Sequence, residues 1–188
     1  MNHRLYQALL ENPRVPIIIA HGPAGTGKTL MACKAAGASK RHERVILTRP
    51  AVSVDEQHGY LPGPLEQKMS PWIAPMTDYL PWQTKYEVCP LAYMRGRTFS
   101  QAWIIADEMQ NSTPSQMRMV LTRLGHDSKL VITGDTDQHD RGFERNGLID
   151  LIERLENTPV PGIETVKFEE GDVMRHEIIK HILRLYKS

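Results

Sequence analysis

Residues 22 to 29 read Gly22-Pro23-Ala24-Gly25-Thr26-Gly27-Lys28-Thr29, a full G-x-x-x-x-G-K-[ST]. The chemistry this pattern serves is the capture of a phosphate chain. Its glycines let the backbone turn tightly, so that successive N–H groups point inward and form an anion nest at the start of a helix. Lys28 has the reach to meet β- and γ-phosphates, and the Thr29 hydroxyl has the chemistry to ligate Mg²⁺. The stretch expected to hold nucleotide is Gly22, Pro23, Ala24, Gly25, Thr26, Gly27, Lys28, Thr29 and Leu30. A glycine-rich turn that binds nothing is the bland alternative. The context argues against it, because an apolar strand pattern precedes the eight residues and a helical pattern follows them.

A second group of reactive side chains closes the apolar run Trp103-Ile104-Ile105-Ala106 with Asp107-Glu108. Asp107 suits the Walker B aspartate, which serves Mg²⁺ through water. Glu108 is placed to orient or polarise an attacking water. A glutamate directly after that aspartate marks the P-loop class in which another strand lies between the two motifs. The pair therefore predicts ATP hydrolysis rather than binding alone. Further on, Gly134-Asp135-Thr136-Asp137-Gln138 leaves another apolar run, and Gln138 is the expected γ-phosphate sensor. His139 and Asp140 follow without the spaced partners of a metal cage, and read as a solvated loop.

These residues need elements to hold them. Short apolar runs recur at Val15–Ala20, Val45–Thr48, Ala102–Ala106, Leu130–Thr133 and, more weakly, Ile163–Phe168. Runs of that length, apolar on both faces, suit strands covered by helices on both sides. Helical patterns fill the gaps at Lys28–Ser39, from Thr113-Pro114 to Leu124-Gly125, at Gly147–Glu156 and at Asp172–Tyr186, and the N-terminus reads as the start of another. Pro71 and Pro75 divide a further one over Pro64–Leu80. The fold expected is α/β: a RecA-like P-loop NTPase with a parallel sheet of about five core strands and helices on both faces. The 188 residues form one domain, 1–188, without repeats or linkers.

Composition excludes little. With 40% hydrophobic and 24% charged residues the chain is an ordinary soluble type, and no apolar run approaches the roughly 18 residues of a membrane span. Two distant cysteines, Cys33 and Cys89, read as reduced thiols of a cytoplasmic protein. A net charge of +1 gives no bulk argument for nucleic acid.

Several stretches together resemble the PhoH family, the phosphate-starvation-inducible type of P-loop ATPase. They are Gly22–Thr29, Thr48-Arg49-Pro50-Ala51-Val52, Gly59-Tyr60-Leu61-Pro62-Gly63, Pro90–Thr98, Asp107-Glu108-Met109-Gln110-Asn111, Thr113–Met117, Leu121–Gly125, Val131–Asp135 and Asp172-Val173-Met174-Arg175-His176. The resemblance covers nearly the whole chain. It implies ATP binding and hydrolysis with Mg²⁺, a role in RNA metabolism, and a ring-like homo-oligomer, with a hexamer favoured. The short stretch before the phosphate loop is expected of a minimal member such as a phage encodes. Two positions depart from the family pattern. His3 replaces the glutamine of an Asn-Gln-x-x-Tyr element associated with adenine, and His139-Asp140-Arg141-Gly142 replaces Ile-Asp-Leu-Pro.

The Gly134-Asp135 and Gln138 element also resembles the first RecA domain of superfamily one helicases, whose second domain supplies an arginine finger. Here the finger is expected to come from another subunit or to be missing. Arg123, Arg141, Arg145 and Arg175 are the candidates, and Arg123 and Arg175 are preferred because they fall in family-like motifs. Arg49, at the end of the second strand, occupies the place where such helicases touch single-stranded nucleic acid. Arg95, Arg97 and Tyr93 offer charge and a stacking ring for RNA. The alternative is that Tyr93 packs in the core while the arginines pair with carboxylates. Two functions follow: an oligomeric Mg²⁺-dependent ATPase coupled to RNA or single-stranded nucleic acid, with helicase activity as one outcome, or an ATP-dependent switch that recruits a partner with little turnover. No separate acidic cluster suggests a two-metal nuclease.

Overall fold

The computed structural model describes residues 1–50, 73–138, 145–174 and 178. The chain opens with helix α1 (Asn2–Glu11), strand β1 (Ile17–His21), helix α2 (Lys28–Ala38) and strand β2 (Arg44–Thr48). After a helical stretch at 73–77, strand β3 (Tyr86–Val88), the single turn α3 (Leu91–Met94) and strand β4 (Ala102–Ala106) follow. A 3₁₀ turn (Met109–Asn111), helix α4 (Pro114–Leu121), strand β5 (Lys129–Gly134), helix α5 (Gly147–Asn157) and strand β6 (Ile163–Lys167) complete the order. The C-terminal helix expected over 172–186 falls largely outside the described residues, as do Arg141 and Arg175.

The six strands form one sheet in the order β3-β2-β4-β5-β1-β6, and every pair is parallel. β5 lies between β1 and β4, so the phosphate-loop strand and the Walker B strand are separated by one strand as Glu108 predicts. The edge strand β3 adds to the five expected. Its three residues, Tyr-Glu-Val, are too short and too polar to stand out as an apolar run.

Alternation along each strand sends side chains to two cores. Ile18, Ala20, Val45, Leu47, Trp103, Ile105 and Val131 face one side, where Tyr6 and Leu10 of α1 and Ala32, Cys33 and Ala36 of α2 cover them. Ile19, Ile46, Ile104, Leu130 and Ile132 face the other, under Met94, Met117, Val120, Leu148 and Leu151. Each fully buried branched side chain contributes about 1.5–3 kcal/mol, which holds the strands flat against both helix layers. Both cysteines are buried and free, and burial pushes the Cys33 thiol up to about 12, so it stays protonated and inert at neutral pH. No helix among the described residues is long and apolar enough to cross a membrane.

A parallel sheet sends all its strand ends the same way. The residues directly after β1, β2, β4 and β5 are Gly22, Arg49, Asp107 and Asp135, and they leave the sheet along one edge. That is where open α/β sheets bind ligands.

Candidate active site

The phosphate loop bridges β1 and α2 with three glycines at positive φ: Gly22 (128°), Gly25 (80°) and Gly27 (83°). Gly27 is the residue before α2, whose first turn contains no acidic side chain to oppose an anion. Lys28 is buried, and its Nζ donates to the carbonyls of Gly22 and Pro23, both at 2.7 Å, and to Thr26 Oγ1 at 3.1 Å. Burial holds the Lys28 ammonium below its usual range, while Asp135, Glu108 and Asp107 act in the opposite sense.

The loop is braced from behind by α1. His3 Nε2 lies 2.9 Å from the Thr26 carbonyl, and the Tyr6 hydroxyl donates to the Lys28 carbonyl at 3.1 Å. Asn2 donates to Asp172 at 2.7 Å. His3, the departure from the family pattern, therefore touches the loop backbone.

Asp107 is almost wholly buried and collects three donors. Thr29 Oγ1 at 2.7 Å and Thr133 Oγ1 at 2.5 Å donate to its Oδ1, and Arg49 Nη2 donates to its Oδ2 at 2.9 Å. The Thr29 hydroxyl keeps its lone pairs for a cation while its proton is spent on Asp107. Hydroxyl plus carboxylate is the hard-oxygen donor set that suits Mg²⁺. Among the described residues no group of three His, Cys, Asp or Glu side chains forms a cage for another metal.

Glu108 has a left-handed backbone (φ 54°), an uncommon conformation for a side chain of this size. Its side chain lines the same cavity as the phosphate loop and keeps 41% of its exposure. Gln110 Nε2 donates to Glu108 Oε2 at 2.5 Å, and Gln110 Oε1 accepts from the Asp135 N–H at 3.1 Å. Asp135 in turn accepts from the Ala24 N–H of the loop at 3.2 Å. A continuous chain of hydrogen bonds thus runs from the phosphate loop to Glu108.

A cavity of about 340 Å³ lies over these groups. Ala24, Gly25, Gly27, Lys28, Thr29 and Leu30 form one wall; Asp107, Glu108, Asp135 and Gln138 form another. Tyr79 and Met174 also reach it. The phosphate-loop residues, Asp107, Glu108 and Gln138 singled out from the sequence therefore meet in one place. Gln110, Thr133 and Asp135 are additions. All three lie within quoted motifs, but only three-dimensional proximity gives them a role.

Arg49 reaches Asp107 from beside the cavity, but the other candidate arginines among the described residues do not gather there. Arg123 donates to the Met119 and Arg97 carbonyls and to Thr122 Oγ1, each at 3.1 Å. Arg145 pairs with Asp150 at 3.0 Å and with Glu153. Arg97 pairs with Glu87 at 2.6 Å and lies over the Phe99 ring, whereas Tyr93 is 60% exposed rather than packed in the core. A larger cavity, about 670 Å³, lies at the opposite ends of the strands beside Trp103 and Lys129. Lys129 Nζ is committed there to the carbonyls of Leu9, Leu10 and Asn12 that end α1.

His21, the last residue of β1, gives the site a pH signature. Burial, then the charges of Lys167 and Lys28, push its imidazole down to about 4. Between that value and the ordinary 6.5 the unfolded chain binds the extra proton, so stability falls as pH drops through this window. The loss approaches about 3 kcal/mol once both states are protonated. Urea titrations from pH 7 to 4 should therefore show wild type losing stability relative to His21→Gln as the pH falls. Parallel curves would refute the assignment.

A family model for PhoH-like proteins matches residues 1–187. The chain belongs to the PhoH-like family. It is 41% identical to a PhoH-like protein of Bacillus subtilis, over 99% of the chain and 62% of that relative. A PhoH-like protein of Synechocystis is 42% identical over 88% of the chain and 55% of its own length. Protein PhoH of Escherichia coli is 41% identical over 90% and 52%. The chain thus spans between half and two thirds of these curated relatives. Family and fold together make it a P-loop NTPase.

Proposed function

We propose that this PhoH-like chain is a Mg²⁺-dependent ATPase that acts on RNA or single-stranded nucleic acid as a homo-oligomer. The observation that carries the hydrolytic part is Glu108, a carboxylate turned into the phosphate-loop cavity beside Asp107. A protein that only binds nucleotide has no need of that group. Lys28 and the N–H groups of the loop would hold the phosphates. Glu108 would take a proton from the attacking water. Gln138 would read the terminal phosphate, and Thr29 and Asp107 would hold the metal. Mg²⁺, when bound, supplies positive charge against the phosphate oxygens.

The oligomer is supported by the arginines: Arg49 is spent on Asp107 and Glu108, neither Arg123 nor Arg145 lines the cavity, and phosphoryl transfer gains about 10³–10⁵ in rate from an arginine finger. Arg123, Arg145 and the two arginines outside the described residues are the groups a neighbouring subunit would offer. The nucleic-acid part is supported by the exposed Tyr93 and Arg95 at the end of α3.

The test is Mg²⁺-dependent phosphate release from ATP over a range of protein concentrations, with and without single-stranded RNA, using Lys28→Ala as the blank. Specific activity rising with concentration supports a site shared between subunits, and stimulation by RNA supports the coupled ATPase. Nucleotide binding without turnover in every condition assigns the chain to a recruiting switch instead.

A further inference from the structure

β2 and β4 run in register to their last residues, with Thr48 opposite Ala106 and the Asp107 N–H donating to the Thr48 carbonyl at 3.0 Å. The next residue on each strand, Arg49 and Asp107, is therefore forced to leave the sheet beside its counterpart. The Arg49 side chain is only 16% exposed, and its Nη2 lies 2.9 Å from Asp107 Oδ2 and 3.5 Å from Glu108 Oε1. One guanidinium nitrogen faces both carboxylates of the Walker B pair.

The remaining donors are arranged around this contact. Thr29 and Thr133 hold Oδ1 of Asp107, and Arg49 holds Oδ2. Gln110 holds Oε2 of Glu108, and Arg49 faces Oε1. The orientation of the Gln110 amide is forced, because the Asp135 N–H can only donate and so turns the amide oxygen toward itself. The amide NH₂ must then face Glu108. Each oxygen of Glu108 is met from one side, and a carboxylate has about four lone-pair positions, so capacity remains to accept a proton from water. The left-handed backbone of Glu108 is a conformation that persists only where its surroundings over-determine it. Arg49 and Gln110 are those surroundings.

We propose that Arg49 is a positioning residue that sets the Asp107–Glu108 pair for catalysis, rather than a contact to nucleic acid as its place at the end of β2 suggests. The proposal rests on the ATP-hydrolysis reading given above. Arginine suits the task because it stays charged when buried and is more weakly hydrated than an ammonium. Lysine is not equivalent at this place, since its nitrogen ends about one bond short of Nη2.

Arg49→Ala and Arg49→Lys, compared with wild type and Glu108→Gln, test this by four readouts: phosphate release, binding of a fluorescent ATP analogue, filter retention of single-stranded RNA, and thermal midpoint. Arg49→Ala is expected to lower kcat by about 100-fold, the usual scale for a misplaced catalytic group, with analogue affinity and RNA retention within about threefold of wild type. Arg49→Lys is expected to recover only part of the loss. Unchanged kcat with RNA retention lost would make Arg49 a nucleic-acid contact. A joint fall of kcat, analogue affinity and midpoint would make it structural, and full recovery by lysine would reduce its role to charge. Absent wild-type turnover, or full turnover in Glu108→Gln, would overturn the hydrolytic reading itself and this proposal with it. That pattern differs from every outcome in which Arg49 alone fails.

Discussion

Glu108→Gln is expected to reduce turnover by about 10²–10⁴ while the affinity for ATP stays close to wild type. The range is that of a positioned general base, and it corresponds to about 2.7–5.4 kcal/mol of transition-state stabilisation. Glutamine keeps the size of the side chain and still offers an oxygen to the Gln110 amide, so the hydrogen-bonded chain to Asp135 and Ala24 survives. What it loses is the capacity to accept a proton. Binding should change little because the proposed phosphate contacts are to Lys28 and the loop, on the other wall of the cavity. Equilibrium titration with a fluorescent ATP analogue and single-turnover phosphate release separate the two quantities. Turnover equal to wild type would remove Glu108 from the mechanism. A parallel loss of binding would mean that the carboxylate organises the pocket.

The sequence made much of this site legible because its chemistry is local. The phosphate loop is eight consecutive residues, and Asp107-Glu108 is a dipeptide at the end of a run that forms β4 over the predicted residues, Ala102–Ala106. Strands buried on both faces announce themselves as apolar runs, which is why β1, β2 and β5 fall within two residues of expectation. The remaining parts of the site depend on register. That Arg49 meets Asp107 follows from β2 and β4 ending level, and no pattern within Thr48-Arg49-Pro50 encodes it. Gln110 finds Asp135 only because the 3₁₀ turn after β4 folds over the end of β5. There a Cβ on Gly134 would come within 2.8 Å of Gln110 Oε1. The brace of His3 on Thr26 is a contact across 23 residues, invisible to any local rule.

The same dependence on close approach makes the first glycine of the loop the most consequential backbone position. Gly22→Ala should destabilise the fold by about 3 kcal/mol or more, from strain and overpacking together. Its φ of 128° is one that a residue with a side chain rarely adopts. A Cβ there would come within 2.2 Å of the Phe168 carbonyl oxygen and 2.9 Å of its carbon, both backbone atoms. They have little room to retreat. The Phe168 N–H donates to the His21 carbonyl at 2.8 Å, and the buried Phe168 ring packs edge-on against His3 and Tyr6, whose own contacts brace the loop. Relief therefore requires the end of β6 to move off β1, taking α1 and the phosphate loop with it. For a chain of this size the corresponding fall in thermal midpoint is about 6–12 °C. Differential scanning calorimetry measures it, and nucleotide titration of the same variant below its midpoint should show weakened binding. A midpoint within about 2 °C of wild type, less than 1 kcal/mol, would show that β6 does not hold the loop in this conformation.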